Sequence, residues 1–288
     1  MRVHLIDGTF ELFRAHFAPR PSKVVKGIDV KATAGVVASI RALLEDADEK
    51  ATHLAIAFDN PIESFRNELF DGYKTGEGML PALRNQFDLV EAACRAIGVV
   101  VWSMKEWEAD DALATAATRW GSDEVQARVL TPDKDLGQVL DGERIVQVDR
   151  IRRKVITEKT MRERRGVAPA SIPDWLALVG DTADGIPGIP GFGEKSSATL
   201  LARWGTIENI PDRDADWDVK VTGAPRLAAT LASRRADALL YKKLATLVRD
   251  VPLEESLDDL EYKGAPRKAF DELCAQLEMT PRWPKFRA

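Results

Sequence analysis

Acidic side chains stand where apolar runs end in the first half of the chain. Glu108, Asp110 and Asp111 follow the apolar run 99–102 and open a helical pattern. Acids in a first helical turn stabilise a helix through its dipole and its free N–H groups, so an ordinary structural role is one explanation. The same arrangement recurs at the ends of three further runs, at Asp7, Asp59 and Asp133. Because the carboxyl ends of parallel strands face one crevice, we expect these acids to meet there.

The acids that we expect at this crevice share one chemistry, that of hard oxygen donors. The complete set is Asp7, Asp59, Glu108, Asp110, Asp111, Asp133, Asp135, Asp181 and Asp184. Carboxylates crowded in this way repel one another strongly unless cations lie between them. Oxygen donors without clustered His or Cys favour Mg²⁺ or Mn²⁺ over zinc. Two such ions about 4 Å apart suit the in-line attack of water on a phosphodiester.

Three of these acids also have an ordinary structural interpretation to weigh. Asp133 follows a proline and is spaced D-x-D with Asp135, and both features are common in turns. Asp181 lies at the end of a predicted helix, where an acid interacts unfavourably with the helix dipole. A turn therefore remains the alternative for the first two acids, whereas the structural alternative is weaker for Asp181.

The composition is typical of a soluble globular protein, with 45% hydrophobic and 30% charged residues. Its 288 residues allow one large domain or two small ones. Cys94 and Cys274 are the only cysteines, and the sequence shows neither a signal peptide nor a membrane-spanning run. We therefore expect a cytoplasmic protein without membrane association. The net charge of −5 becomes +4 when the nine acids are set aside, so a phosphate-rich substrate is not excluded.

Apolar runs typical of strands alternate with amphipathic helical patterns up to about residue 160, and helical patterns dominate beyond it. This predicts an α/β fold at residues 1–160, with a mostly parallel sheet flanked by helices, and a helical region at 161–288. Residues 205–288 show no chemistry and are predicted to support the helices before them. The predicted strands are 3–6, 53–58, 99–102, 125–130, 145–148 and 155–156. The predicted helices are 9–16, 31–49, 81–97, one from residue 108, 172–179, 194–204 and one or two within 225–248.

A glycine-rich hairpin connects the predicted helices 172–179 and 194–204. Gly188, Gly191 and Gly193 let backbone amides approach a phosphate closely, and the next helix N-terminus adds a favourable dipole. Lys195 and Ser196 follow in the first turn of that helix. An ordinary interhelical turn is the alternative, but the repeated G-I-P-G with a trailing lysine favours phosphate binding. We predict a helix–hairpin–helix motif at about 172–205 that binds nucleic-acid backbone without reading sequence.

The segment 61–81 shows no sustained apolar period, and we expect a mobile loop or short helices there. Tyr73 and Lys74 lie in it, with Arg66 before them. An aromatic ring beside a cation can stack on a splayed base while the cation contacts a phosphate. Local sequence alone favours the alternative, a solvated loop.

Taken together, these motifs resemble the 5′-nuclease family, which includes the 5′–3′ exonuclease domain of bacterial DNA polymerase I and the flap endonucleases. The resemblance covers residues 3 to about 205. It implies a PIN-like sheet, a helical arch at about 61–82 and a helix–hairpin–helix that binds K⁺ through backbone carbonyls. The matching motifs are Leu5-Ile6-Asp7-Gly8-Thr9, Phe58-Asp59, Phe65-Arg66, Tyr73-Lys74, Glu108-Ala109-Asp110-Asp111, Thr131-Pro132-Asp133-Lys134-Asp135 and Gly180-Asp181-Thr182-Ala183-Asp184-Gly185-Ile186-Pro187-Gly188.

The resemblance also implies metal-dependent cleavage of 5′ flaps, nicks and 5′ ends of duplex DNA in replication and repair. All nine acids match positions of metal ligands, and Asp110 and Asp111 are also expected to be catalytic. Lys74 matches the arch lysine at the scissile phosphate, Tyr73 a base-stacking residue and Arg66 a DNA contact. We expect a stand-alone monomer with a DNA polymerase or ligase as partner.

Two departures from the family pattern stand out. Gly185 stands where an asparagine is usual after the last acid, and residues 75–78 stand where the arch is usually basic. The second departure would weaken contacts between the arch and DNA.

Two other functions remain open from the sequence. A PIN-like ribonuclease would share the acids, although a hairpin suited to duplex backbone disfavours it. A branched-DNA-binding protein without catalysis would require that some of the acids be merely structural.

Overall fold

A computed structural model describes residues 1–280 and 282–287. In chain order the elements are β1 (Arg2–Asp7), α1 (Gly8–Phe17), β2 (Val24–Val25), β3 (Ile28–Asp29), α2 (Lys31–Glu45), β4 (His53–Asp59), α3 (Arg66–Leu69), α4 (Pro81–Arg84), α5 (Phe87–Ala96), β5 (Val100–Met104), α6 (Ala109–Trp120) and β6 (Gln126–Leu130). They continue with β7 (Ile145–Asp149), β8 (Lys154–Ile156), α7 (Glu158–Arg165), α8 (Ile172–Val179), α9 (Glu194–Trp204), α10 (Ala224–Ser233), α11 (Arg235–Ala245) and α12 (Arg267–Leu277). Among the described residues, none of the helices is both long and apolar enough to cross a bilayer.

The first of two compact units consists of residues 1–64, 76–131 and 249–288. Its four main strands are parallel and lie in the order β5-β4-β1-β6. Helices α1 and α6 contact the central strands, so the side chains of β1 and β4 are nearly all buried. Strands covered in this way are continuous apolar runs, which is what the sequence shows. Asp7 and Asp59 end β1 and β4, so one edge of this sheet carries both acids.

The second unit consists of residues 65–75 and 132–248. Strands β7 and β8 form an antiparallel pair, and α8 packs against α9 and α11. Trp175, Leu200 and Leu244 belong to the buried apolar core that these helices share. The predicted domain boundary near residue 160 stays a prediction, whereas packing assigns the chain from Pro132 to Val248 to this unit.

The predicted helix 81–97 forms two helices, α4 and α5, and this is a correction. The interruption lies at Asn85 and Gln86. Gln86 is fully buried, and its Oε1 accepts hydrogen bonds from the backbone N (2.9 Å) and the Oγ1 (3.1 Å) of Thr33. Gln86 thus satisfies a free N–H group in the first turn of α2, a role that periodicity cannot show.

The segment 61–82, expected to form a helical arch, contains little regular helix. α3 has only four residues, and α4 begins only at Pro81. Turns occupy much of the rest, as where the backbone N of Tyr73 donates to the carbonyl of Phe70 at 3.0 Å. Packing assigns residues 65–75 to the second unit and the chain from Gly76 to the first.

Residues 205–248 belong to the unit that contains the hairpin, as expected, whereas the assignment of residues 249–288 to the other unit corrects the expectation for that part. Residues 249–288 belong to the first unit, where α12 contacts α5. The hydroxyl of Tyr262 donates to the carbonyl of Ile97 at 3.0 Å, and its backbone N donates to Thr52. This segment therefore helps to close the core of the α/β unit.

Candidate metal centre and nucleic-acid interface

Asp7 and Asp59 are held firmly at the carboxyl ends of their strands. Asp7 accepts from the backbone N of Phe10 and from Oγ1 of Thr131, both at 2.8 Å. Asp59 accepts from the backbone N of Ala109, at 2.7 Å. Both residues are less than a tenth exposed. The hydrogen bonds therefore orient two carboxylates at the sheet edge where the sequence predicts them.

The acids that open α6 have two different environments. Glu108 is buried, and its Oε1 accepts from the hydroxyl of Ser64 at 2.7 Å. Asp111 is fully buried, and its Oδ2 accepts from the backbone N of Glu108 at 2.9 Å. Asp110 is half-buried. Asp111 therefore performs the capping that was its structural alternative, and its role as a metal ligand or catalytic residue stays a prediction.

Three acids of the second unit lie close enough to share one cation. Asp135, Asp181 and Asp184 each offer a carboxylate oxygen, and these oxygens lie within 4.8 Å of one another. The loop after α8 brings the last two together, because the backbones of Asp181 and Ile186 pair with each other (2.7 and 2.8 Å). Within the described residues, the five acids of the first unit form no equally tight trio. A single site of nine acids stays a prediction.

The environment of this trio suits a divalent cation. Burial raises the pKa of Asp135 well above its ordinary value, and the charges of Asp133, Asp184 and Asp181 raise it further. The Oδ1 of Asp135 is buried and has no hydrogen-bond partner within the described part of the chain. A divalent cation would satisfy that oxygen and offset the repulsion, so the residues present fit such a group.

Asp133 adopts the turn that was its structural alternative. Its side chain is exposed, and its Oδ1 accepts from the backbone N of Asp135 at 2.9 Å. The turn directs the chain into the 3₁₀ helix Asp135–Val139. Asp133 therefore has a defined structural role, and its role as a ligand stays a prediction.

Lys74 lies beside the trio because residues 72–74 pack against the loop after α8. The Nζ of Lys74 is 3.0 Å from Oδ1 of Asp184, and its backbone N donates to the Asp184 carbonyl at 3.0 Å. Gly185 has φ +75°, and a Cβ there would lie 2.1 Å from the carbonyl oxygen of Gly72. Glycine in place of the usual asparagine thus allows this close backbone approach.

Arg66 and Tyr73 are not available to DNA, which corrects both predicted roles. Arg66 is 1% exposed, and its guanidinium donates to the carbonyls of Leu244 (2.8 Å) and Thr246 (3.0 Å). Tyr73 is 4% exposed and belongs to the apolar core of the second unit. Both side chains therefore stabilise this unit rather than bind a substrate.

The predicted hairpin divides into a buried part and an exposed part. Gly188 is buried with φ +72°, and a Cβ there would lie 2.6 Å from the backbone N of Gly180. The positive φ angle of Gly188 allows close backbone packing against the end of α8, which corrects its predicted role as a phosphate contact. Gly191, Gly193 and Lys195 are exposed at the start of α9.

Ser196 completes the start of α9 in a way that the sequence does not show. The backbone N of Gly193 donates to Oγ of Ser196 at 3.0 Å, so this N–H group already has a partner. Lys195 and the dipole of α9 remain as the groups that favour an anion here. DNA binding by the hairpin stays a prediction.

Comparison with known proteins shows to which family the chain belongs. The family model described as the N-terminal resolvase-like domain of 5′–3′ exonucleases matches residues 2–166. The chain belongs to the 5′–3′ exonuclease family. A second model, the C-terminal SAM fold of 5′–3′ exonucleases, matches residues 167–268.

Curated relatives come from several bacteria. DNA polymerase I of Bacillus caldotenax is 36% identical over 96% of this chain. The chain spans 31% of that relative's length. The 5′–3′ exonuclease of Aquifex aeolicus is 28% identical, with 96% of this chain and 92% of the relative covered.

Solved structures confirm the predicted fold class, a mostly parallel sheet flanked by helices with a helical C-terminal region. The flap endonuclease of bacteriophage T5, in a complex with DNA and metal ions, matches with a TM-score of 0.65 and 17% identity. The match covers 96% of each chain. This likeness shows that the exonuclease fold extends over nearly the whole chain.

Two basic side chains near the acids were not predicted from the sequence. The Nζ of Lys134 is 2.8 Å from Oδ2 of Asp181, and Arg165 lies where the charges of Asp135 and Asp133 act on it. Lys134 lies between the acids of the D-x-D pair, which is a local signal. Arg165 belongs to the basic stretch 162–165, which gives no sign of these acids, and its position depends on tertiary packing.

Proposed function

We propose that this family member is a divalent-metal-dependent 5′ nuclease that hydrolyses DNA phosphodiesters at 5′ flaps, nicks and duplex 5′ ends. The observation that carries the proposal is the trio Asp135, Asp181 and Asp184, whose carboxylate oxygens lie within 4.8 Å of one another. The names of the relatives support the reaction, since they include a 5′–3′ exonuclease and a flap endonuclease in complex with DNA and metal ions.

Asp135, Asp181 and Asp184 would hold Mg²⁺ or Mn²⁺, and Asp7, Asp59, Glu108 and Asp110 are the candidates to hold a second ion. When bound, such ions activate water for in-line attack and stabilise the charge that develops on the phosphoryl group. Lys74, fixed beside Asp184, would donate to a nonbridging oxygen of the scissile phosphate. The hydrogen bond from the backbone N of Lys74 to the Asp184 carbonyl would fix the Lys74 backbone, so that its ammonium group needs little rearrangement to reach the transition state.

The hairpin would hold duplex DNA beside these residues. Gly191 is exposed shortly before the N-terminus of α9, where Lys195 is also exposed, whereas Pro190 has no backbone N–H and that of Gly193 already donates to Ser196. Amide groups and a helix dipole bind phosphate without reading bases, which suits an enzyme that recognises structure. Carbonyls of the same hairpin are candidate ligands for K⁺, which would supply a positive charge that favours phosphate binding.

We further propose that the protein acts as a monomer in the cytoplasm, together with a DNA polymerase or ligase. The relatives named DNA polymerase I support this partnership, because in them the matching region is part of a polymerase chain.

The test is cleavage of a 5′-labelled double-flap DNA with Mg²⁺, with Mn²⁺ and with chelator. We expect a short defined product that requires metal and is lost in Asp181→Asn. Asp237→Asn is the matched control, because Asp237 is a surface acid of the same unit and is paired with Arg234. Tight binding without a product under either metal would refute the proposal and favour a branched-DNA-binding protein. Preferential cleavage of a matched RNA flap would instead favour a ribonuclease.

A further inference from the structure

Arg165 ends α7 and lies against the indole ring of Trp175 in the second unit. The carbon at the centre of its guanidinium is 5.2 Å from the ring centroid of Trp175. Trp175 is 5% exposed, while Arg165 itself is half-buried. A guanidinium held against an indole ring loses much of its rotational freedom, so its N–H groups point in a defined direction.

The acids of the candidate metal centre act on this guanidinium. Burial lowers the pKa of Arg165, while the carboxylates of Asp135, Asp133 and Glu194 act in the opposite direction. Arginine remains charged in such surroundings. A permanent positive charge is thus subject to the field of Asp135 and Asp133, and the Nε1 of Trp175, on which it lies, donates to the carbonyl of Glu194 (3.4 Å) where α9 begins.

One donor of Arg165 lacks a partner among the residues that the structure describes. Its Nη1 is buried and has no hydrogen-bond partner in the described part of the chain. Buried donors are nearly always satisfied in native proteins, and those left over often mark a place for an ion or ligand. The planar fork of arginine matches phosphate geometry, because two parallel N–H groups can meet two phosphate oxygens.

We propose that Arg165 binds a phosphate of the substrate strand, adjacent to the phosphate that is cleaved at Asp135, Asp181 and Asp184. The inference deepens the proposed function and rests on it, because the phosphate arrives with the DNA. The guanidinium stays against Trp175 while the half-buried side chain moves far enough for Nη1, buried in the free protein, to meet the incoming phosphate. Arg165 is therefore a positioning residue that fixes the strand in register with the acids.

The experiment compares Arg165→Gln, Arg165→Lys and Arg213→Gln. Arg213 belongs to the same unit, its side chain is 78% exposed, and it pairs with Asp216, so its removal controls for net charge. Binding of a fluorescent 5′-flap duplex is measured in Ca²⁺ across a KCl series, together with single-turnover cleavage in Mg²⁺ and with the affinity of the free protein for Mn²⁺.

For Arg165→Gln we expect affinity to fall about five- to tenfold near 0.1 M salt, and the slope of log affinity against log salt to decrease by about 0.7 to 0.9. Arg165→Lys keeps the charge but lacks the fork, so it should retain the slope and lose affinity severalfold. It also keeps the inference testable if the glutamine variant folds poorly. Arg213→Gln should change affinity less than twofold.

Unchanged DNA affinity and salt slope in Arg165→Gln, with tighter Mn²⁺ binding, would overturn the inference. Arg165 would then be only a counter-cation for Asp133 and Asp135. If the wild-type protein binds and cleaves the flap while both Arg165 variants match it, the inference fails and the proposed function stands. A wild-type protein that neither binds nor cleaves would overturn both.

Discussion

Gly185→Ala is predicted to displace Lys74 from the acids by a purely steric effect. Gly185 has φ +75°, and a Cβ there would lie 2.1 Å from the carbonyl oxygen of Gly72. Real Cβ atoms essentially never come that close, and the atom in the way is backbone, so residues 72–74 must move. The hydrogen bond from Lys74 to the Asp184 carbonyl, 3.0 Å long, lies on the same stretch and would be strained or lost.

The magnitude follows from three contributions. A residue other than glycine in the left-handed region costs about 1–2 kcal/mol. Steric overpacking costs about 1–3 kcal/mol more, and reduced freedom of the unfolded chain returns about 0.4–1 kcal/mol. We therefore expect the free energy of unfolding to fall by about 1–5 kcal/mol in Gly185→Ala. Gly223 is the matched control, because it has φ +76° and open space at the Cβ position, so Gly223→Ala should cost only about 1 kcal/mol.

The assay is urea unfolding in metal-free buffer, paired with single-turnover cleavage at saturating enzyme. Gly185→Ala should cleave much more slowly than Gly223→Ala at a similar fraction folded. Gly185→Asn separates the conformational cost from the steric cost, since asparagine tolerates the left-handed region but carries the same Cβ. Equal stability losses in Gly185→Ala and Gly223→Ala would refute the steric reasoning. A full stability loss with normal cleavage would refute the link to Lys74.

Three further predictions concern charges. Asp135→Asn should raise the melting temperature in chelator, because a buried like charge is removed, and should abolish cleavage; a clear loss of stability would contradict this. Lys74→Met should slow single-turnover cleavage about 100-fold while binding weakens less than threefold, and equal losses in both would make Lys74 a mere anchor. A hydrogen bond to His4 lowers the pKa of Glu49, and Arg128 acts in the same direction, so that the pKa falls to about 2. Glu49 therefore stabilises the fold above its unfolded pKa near 4.5, and this stabilisation is lost as the pH falls towards 2. After discounting for solvent exposure we expect about 1–2 kcal/mol, which Glu49→Gln should remove; urea titrations at pH 6 and pH 3 check it.

The acids show how far the order of residues along the chain determines a site. An apolar run followed by an acid places that acid at a strand end, and Asp7 and Asp59 lie there. The spacing of Asp181 and Asp184 suits one tight loop, and the structure brings both to Asp135. These outcomes depend on local geometry and on the parallel arrangement of strands, which periodicity predicts.

The segment with Arg66 and Tyr73 shows where sequence reasoning ends. Both residues stand in a polar, glycine-containing stretch that is typical of a solvated loop, yet both are buried. The partners of Arg66 are carbonyls at Leu244 and Thr246, nearly 180 residues further on. Burial by such distant partners leaves no periodic trace in the local sequence.

Some helix boundaries likewise follow from local sequence, whereas others depend on distant contacts. The predicted helices 172–179 and 194–204 match α8 and α9, whose apolar spacing and flanking glycines are local signals. The interruption between α4 and α5 depends on Gln86 binding Thr33 of another helix, and the short elements β2, β3, α7 and α12 were not predicted individually.

The sequence by itself determined the alternation of strands and helices, the sheet edge that carries acids and the chemistry of hard oxygen donors, because each depends on neighbours along the chain. Only the tertiary structure decided which acids come within reach of a shared metal ion, which basic side chains lie near them and which residues of the expected DNA surface are buried. Those outcomes depend on contacts between residues far apart in sequence, such as Lys74 with Asp184 or Arg165 with Trp175. Packing selects such contacts through the shape of the whole unit.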